Sequence, residues 1–428
     1  MNQLKQAKRI YFVGIKGVAM AALAIWAKEA GKIVAGSDVA EEFPTDEELK
    51  KAEIDVHEGF EEAHLVAFKP DFVVYTGAHG GRENPQVVYA KEHDIPSLPH
   101  GQALGLAMNG KRQISVAGSH GKTTTSAMIA TILAETGLDP SYAIGCGSIR
   151  GLGAAGHAGK GDWFVAEADE YVTDPGHDLT PRFLWLKPEV LAVTNIDYDH
   201  PDAYPDLPAV QKAFIALQKQ STVTFISAED EASSVLKKAG NVVTFGLSEK
   251  LNTLKLQIPG RHNMLNAAAA AAVCEHIGIE WEVIKQGLER FGGTKRRFEK
   301  LGEFRGALIY DDYAHHPKEI EVTIAAFRDK FPKRRLVVVF QPHTYSRTKA
   351  LLRDFAQAIG KADISLVTDI YASARETQKE EGLAWKLGGV YTPTKKDVSG
   401  WLAKECKTDD VVVFMGAGDI YKWARDLI

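Results

Sequence analysis

Cysteine is scarce in this chain: three in 428 residues, at Cys146, Cys274 and Cys406. They stand far apart and form no C-x-x-C, which excludes a disulfide-built scaffold and a cysteine-type zinc site. Each is expected to be a small buried side chain in a reducing compartment. An excess of positive charge is also missing. The net charge is −5, so no nucleic-acid partner is expected. Long hydrophobic runs are absent too. "RLVVVF" and "VVVFMGAG" have the length of strands, not the roughly 20 residues of a membrane span. The opening "MNQLKQAKRIYFVG" has no signal-type apolar stretch, and neither a fixed-period repeat nor a low-complexity tract stands out. A cytoplasmic protein without membrane contact is expected. The composition is ordinary for a globular chain, 45% hydrophobic and 25% charged. Its length exceeds one typical core, so two or three domains are expected.

The most informative stretch is "SVAGSHGKTTTSAMIATIL", from Ser115 to Leu133. A short apolar run of strand type enters it, and a helical apolar spacing leaves it and ends at Gly137. Between them lie Gly118, Ser119, His120, Gly121, Lys122, Thr123 and Thr124. The first N–H groups of a helix have no internal partners, and the helix dipole makes that end positive. Glycine lets backbone close around an anion, a lysine adds charge for the β- and γ-phosphates, and a threonine hydroxyl can ligate Mg2+. Val116 stands where the standard phosphate-loop pattern has its first glycine, so this is a shortened form of that loop.

Three blocks follow from the alternation of strand and helix signals, at 1–108, 109–294 and 295–428. All three read as α/β with mostly parallel sheet. The first opens as strand, glycine turn, helix and strand. Gly14 and Gly17 lie in the turn, and Asp38 lies at the tip of the second strand, where a ribose hydroxyl would be held. A nucleotide-dependent dehydrogenase begins the same way. However, Gly14-x-x-Gly17 is not the dinucleotide fingerprint, and a dehydrogenase leaves the phosphate loop unexplained. In the second block, apolar strands end in Glu167, Asp169 and Glu170, and in Asn195, Asp197, Asp199 and His200. Ligands collect at the carboxyl ends of parallel strands, so these groups would complete the shell of Mg2+ bound to ATP. Asn263 and Asn266 enter an alanine-rich helix, either as adenine contacts or as caps. In the third block, Asp311, Asp312, His315 and His316 crowd one strand end before Pro317, a helix start. Adjacent His315 and His316 cannot both point one way, which disfavours a dinuclear metal site. At the next strand end, His343, Tyr345, Ser346 and Arg347 are placed to bind a carboxylate or phosphate.

Taken together, "FVGIKGVAMAALA", "GSHGKTTT", "EADE", "TNIDYDH", "HNMLNAAAA", "RRFE", "DDYAHHPKEI", "FQPHTYSRT", "TDIYASARE" and "MGAGDI" resemble the Mur ligase family across essentially the whole chain. The resemblance implies three domains: an N-terminal Rossmann-like one for a UDP-sugar, a central phosphate-loop-type ATPase and a C-terminal Rossmann-like one for an amino acid. It implies ATP and Mg2+ as cofactors, and peptidoglycan precursor synthesis through an acyl phosphate. The substrates implied are UDP-N-acetylmuramate and L-alanine, handled by a monomer or homodimer. Lys122, Glu170 and His200 would be catalytic. Thr123 and Glu170 would hold one Mg2+, and Glu170 with His200 a second. Asn266 would contact adenine, and Arg297 and Asp312 the rest of the nucleotide. Gly14, Gly17, Ser37 and Asp38 would lie by the UDP group. Tyr313, His315, His343 and Arg347 would frame the amino acid.

The chain also departs from the family pattern. Lys16 replaces the usual second glycine of the N-terminal turn, placing its side chain where it would reach a UDP phosphate. "AHGGRENP" replaces a serine-rich stretch on the sugar side. "YVTDPGHDLTPRF" follows Glu170 where alanine-adding members are shorter. "EADEY" is similar to members that attach a recycled tripeptide to UDP-N-acetylmuramate, whereas "FQPHTYSRT" is similar to alanine-adding ones. The position fifteen after His200 is Ile215, so no carbamylated lysine is expected.

Overall fold

The computed structural model describes residues 3–372, 380 and 382–428. Part of the "TDIYASARE" string, 373–376, lies outside the described residues. Three mostly parallel sheets carry the fold. The chain divides into two compact units. One holds Met1–Tyr198, Ala203–Gln257 and Met264–Lys295. The other holds Asp199–Asp202, Ile258–Asn263 and Arg296–Ile428.

In the first unit, β1 (Arg9–Val13), β2 (Ile33–Asp38), β3 (Asp55–Glu58), β4 (Phe72–Tyr75) and β5 (Ser97–Pro99) form a parallel sheet in the order β3-β2-β1-β4-β5. Val13, at the end of β1, pairs with Ser37 of β2 on one side and Tyr75 of β4 on the other. The strand order reverses between β1 and β4, and that reversal opens a crevice at their carboxyl ends. The helix Val18–Glu29 follows β1 and is buried from Met20 to Ala27. Its many alanines have a steric reason. A Cβ on Gly156 would lie 1.9 Å from the Ala22 carbonyl oxygen, so helix and strand backbones touch there.

That strand belongs to the second sheet of the same unit. Its members are β6 (Arg112–Ala117), β7 (Ser141–Ile149), β8 (Gly153–His157), β9 (Trp163–Glu167), β12 (Val190–Val193), β13 (Val223–Ser227) and β14 (Val242–Phe245). The order is β14-β13-β12-β6-β9-β7-β8, parallel except that β8 runs against β7. A separate antiparallel hairpin, β10 (Val172–Asp174) and β11 (Asp178–Pro181), is inserted after β9.

The second unit is built on β15 (Glu299–Phe304), β16 (Ala307–Asp312), β17 (Leu336–Phe340), β18 (Ile364–Val367), β19 (Val390–Tyr391) and β20 (Val411–Met415). The order is β15-β16-β20-β17-β18-β19, with β15 alone antiparallel. Strand periodicity explains the unbroken apolar runs. Val411, Val413 and Met415 enter one core, while Val412 and Phe414 enter the core on the opposite face. No helix among the described residues is long and apolar enough to cross a membrane. Of the three cysteines, Cys146 and Cys274 are buried, but Cys406 is only half-buried, because it follows the end of the exposed-edge helix Lys395–Glu405.

Burial pushes the imidazoles of His100, His262 and His315 down to about 4. Each folded-state value lies below the unfolded one near 6.5, so this stability is complete above pH 6.5 and is lost as pH falls toward 4. Each site contributes up to about 2 kcal/mol at the limit, given its partial solvent contact. The expected result is a urea midpoint that drops between pH 7 and pH 4.5. In His100→Gln that drop is shallower, and an equal drop would refute this assignment.

Candidate active site

The phosphate loop joins β6 to the helix Lys122–Glu135, with Gly121 as N-cap at φ +83°. Thr125 N donates to Gly121 O at 3.0 Å, so the preceding amides of Lys122, Thr123 and Thr124 have no intrahelical acceptor. Two glycines are sterically required. A Cβ on Gly118 would meet Thr194 Oγ1 at 2.0 Å, and one on Gly121 would meet Asn266 Oδ1 at 2.4 Å. The loop is braced by the end of β12. Asn195 accepts from His120 N at 2.9 Å and donates to His120 O at 2.9 Å. Ser119 Oγ accepts from Asp197 N at 2.8 Å, and His120 Nε2 lies 3.5 Å from Asp197.

Lys122 turns back over its own loop. Its Nζ donates to Gly118 O at 2.5 Å and to the Glu170 carboxylate at 2.9 Å. Burial works against that charge, but the carboxylates of Glu170, Asp169 and Glu167 outweigh it and raise the lysine pKa. Glu170 is 2% exposed, and its carbonyl oxygen accepts from Tyr204 Oη at 2.5 Å. Glu167 accepts from Gly145 N at 2.6 Å and from the Thr123 hydroxyl, and burial raises its pKa. Asp169 is held by Arg182 at 2.9 Å. Amides at a helix start, one lysine, a hydroxyl and buried carboxylates fit a nucleotide triphosphate with Mg2+, which takes oxygen ligands.

The crevice of the first sheet gathers Gly14, Gly17, Ser37 and Asp38. Gly14 has φ +81°, and its Cβ would strike Thr76 at 2.3 Å. Asp38 is buried and accepts from Lys16 N at 2.7 Å, with His79 at 3.6 Å. Burial raises its pKa. Ser37 donates to Gln86 Oε1 at 2.5 Å. Lys16 corrects an expectation. Its Nζ is spent on the carbonyls of Val39 and Glu41, at 3.0 and 2.9 Å, so it pins the loop after β2 and does not extend toward a phosphate.

In the second unit, Arg347 is likewise not open to a ligand. Its Nε and Nη2 lie 2.9 and 2.8 Å from Asp199 Oδ1, with both side chains buried. Burial would raise the Asp199 pKa, but His200 and Arg347 hold it well below the usual range. His200 follows directly, in the left-handed region at φ +60°. Asp312 accepts from Phe298 N and Ala314 N at 2.8 and 2.9 Å, which makes it a loop fastener. Arg297 lies 3.5 Å from Glu319 and over the Tyr313 ring. Tyr313, His315 and His343 form a chain of ring contacts, at 5.1 and 6.0 Å. The two adjacent histidines do separate tasks: His315 Nδ1 meets Tyr313 O at 3.0 Å, while His316 caps the helix starting at Pro317. Asn263 donates to Pro259 O at 2.7 Å, as a cap would.

Sequence reasoning missed Arg296. Its guanidinium is buried, donates to Asp311 at 3.0 Å and to Gly416 O at 2.6 Å, and lies over Tyr421. Nothing in "KRR" marks which arginine turns inward. Arg296 takes a positive φ, +65°, and its partners Asp311 and Gly416 lie 15 and 120 residues away.

Three family descriptions match the chain: "Mur ligase family, catalytic domain" at 9–112, "Mur ligase middle domain" at 116–256 and "Mur ligase, glutamate ligase domain" at 296–418. The chain belongs to the Mur ligase family. This Mur ligase is similar to the UDP-N-acetylmuramate–L-alanine ligase of Desulfitobacterium hafniense, 38% identical over 98% of this chain and 99% of that one. The enzyme of the same name from Aquifex aeolicus is 35% identical over 99% and 98%. Among solved structures, the UDP-N-acetylmuramate–alanine ligase of Thermotoga maritima superposes with a TM-score of 0.80, at 27% identity over 98% of each chain. A murein peptide ligase of Psychrobacter arcticus shares the fold, with a TM-score of 0.74 and 24% identity over 98% of each chain.

Proposed function

We propose that this Mur ligase joins L-alanine to UDP-N-acetylmuramate at the expense of ATP, in the cytoplasm, as a step of peptidoglycan precursor synthesis. The observation that carries the reading is the Lys122 ammonium, held at a helix start between loop carbonyls and a buried carboxylate. The substrates come from the full-length likeness to alanine-adding relatives. The proposed domains are 1–108 for the UDP-sugar, 109–294 for ATP and 295–428 for the amino acid.

The γ-phosphoryl group passes to the substrate carboxylate and ADP leaves. Lys122 and the amides of the helix start stabilise the charge that spreads over the transferring oxygens, a task of positioning and electrostatics. Thr123, Glu170 and His200 would hold Mg2+, which neutralises charge on the phosphates. The alanine amine then attacks the acyl carbon, and inorganic phosphate departs from the tetrahedral intermediate. Burial keeps His315 neutral at pH 7. Its Nδ1 meets the Tyr313 carbonyl at 3.0 Å, so the ring serves as an oriented, uncharged polar wall beside the amino acid. Asn266 and Arg297 would serve the nucleotide, and Tyr313 and His343 the amino acid, while Asp312 and Arg347 support them from behind through the Phe298 and Ala314 amides and Asp199.

The test is phosphate release with ATP, Mg2+ and UDP-N-acetylmuramate. One reaction receives L-alanine and a second receives L-Ala-γ-D-Glu-meso-diaminopimelate. Turnover with alanine alone supports the reading. Turnover only with the tripeptide replaces it with a recycling ligase.

A further inference from the structure

The two segments that depart from the family pattern, "AHGGRENP" and "YVTDPGHDLTPRF", pack against each other. The first is the loop that leaves β4 and forms one wall of the crevice between β1 and β4. The second is the β10–β11 hairpin, which starts two residues beyond Glu170. The hairpin reaches from the phosphate loop's own carboxylate to the wall of the crevice.

Asp174 makes the junction. It is 1% exposed, and its Oδ2 accepts from Arg82 N at 3.1 Å. The loop is shaped to receive it. His79, Gly80 and Gly81 all have positive φ, and a Cβ on Gly81 would sit 1.9 Å from Asp174 Oδ1. That oxygen is buried without a hydrogen-bond partner, with His177 Nδ1 at 3.7 Å and the Arg82 guanidinium 3.5 Å from its neighbour, so the carboxylate is held by the fit of the cradle and by nearby charge as well as by its one bond. A Cβ on Gly77 would likewise strike Pro175 and the Thr173 carbonyl, each at 2.8 Å. From Arg82 the order continues inward. Asn84 accepts from Gln86 N at 3.0 Å, and Gln86 accepts from Ser37 in the crevice.

We infer that Asp174 is a positioning residue for the nucleotide sugar, which holds the 77–84 loop at the spacing from the phosphate loop that the substrate must bridge. This rests on the function proposed above. A UDP-sugar seated at β1 and β4 must carry its carboxylate to Lys122. The hairpin is one covalent and hydrogen-bonded link between those two places, and it runs from Glu170 itself to the 77–84 loop. Its effect falls on the sugar substrate, because Asp174 touches no residue of the phosphate loop.

The experiment compares wild type with Asp174→Ala, Asp174→Asn and Gly81→Ala in steady-state kinetics, with thermal melting alongside. Asp174→Ala raises KM for UDP-N-acetylmuramate about tenfold or more, while kcat and the KM values for ATP and L-alanine stay within about threefold. Asp174→Asn keeps the acceptor for Arg82 N and recovers most of the loss. Gly81→Ala, which evicts the carboxylate from the other side, repeats the alanine phenotype. Unchanged KM for the sugar in Asp174→Ala overturns the inference, as does a parallel loss in all parameters with a lowered melting temperature. A wild-type enzyme that does not turn over UDP-N-acetylmuramate overturns the underlying function instead.

Discussion

Lys122→Ala loses at least about a thousandfold in kcat, because in the proposed reaction Lys122 supplies charge to the transferring phosphoryl group. The same substitution destabilises the protein. Lys122 is the hydrogen-bonded partner of Glu170, which is 2% exposed. Removing the cation strands a buried carboxylate, at a cost of about 3 kcal/mol. The two effects separate in a double variant. Glu170→Gln removes the stranded charge, so Lys122→Ala with Glu170→Gln melts near wild type yet remains inactive. Calorimetry and phosphate release on the same samples check this. A double variant as unstable as Lys122→Ala would show that Glu170 is not the group being stranded.

The second large effect separates two neighbouring arginines. Arg296→Ala costs about 3–5 kcal/mol, since it leaves Asp311 buried and unpaired and abandons the carbonyls of Gly416 and Gly418. Arg297→Ala removes a half-buried guanidinium 3.5 Å from a Glu319 that still accepts from the His315 amide, and costs within about 1 kcal/mol of stability. Its loss appears in kcat/KM for ATP, about 10–100-fold for one charge-assisted contact. Denaturation and kinetics on the pair decide it. Equal stability losses would mean that burial does not distinguish these positions. The family motif singled out Arg297, the more open of the two, for the proposed nucleotide contact. The fold depends on Arg296, which local pattern cannot separate from it.

Much of the architecture was legible in the chain. Strand-length apolar runs that end in polar residues located the carboxyl edges of all three sheets, because parallel strands bury both faces and leave their ends to ligands. Glycine before lysine and threonine located the phosphate loop, because only glycine tolerates φ +83° against Asn266. The separate duties of His315 and His316 followed from their adjacency. These are local properties, set by backbone geometry within a few residues.

Tertiary structure decided which charged groups are already satisfied. Lys16 and Arg347 read as open cations, yet one is bound by carbonyls more than twenty residues away and the other by Asp199, 148 residues away. The hairpin after Glu170 read as an insertion of unassigned role, and only the fold showed Asp174 seated in the 77–84 loop. A buried charge takes its partner from whatever the packing brings within about 3 Å, and one sequence carries no record of that distance. The chain by itself determined which chemistry is present and at which sheet edges. Packing determined which of those groups remain available to a substrate.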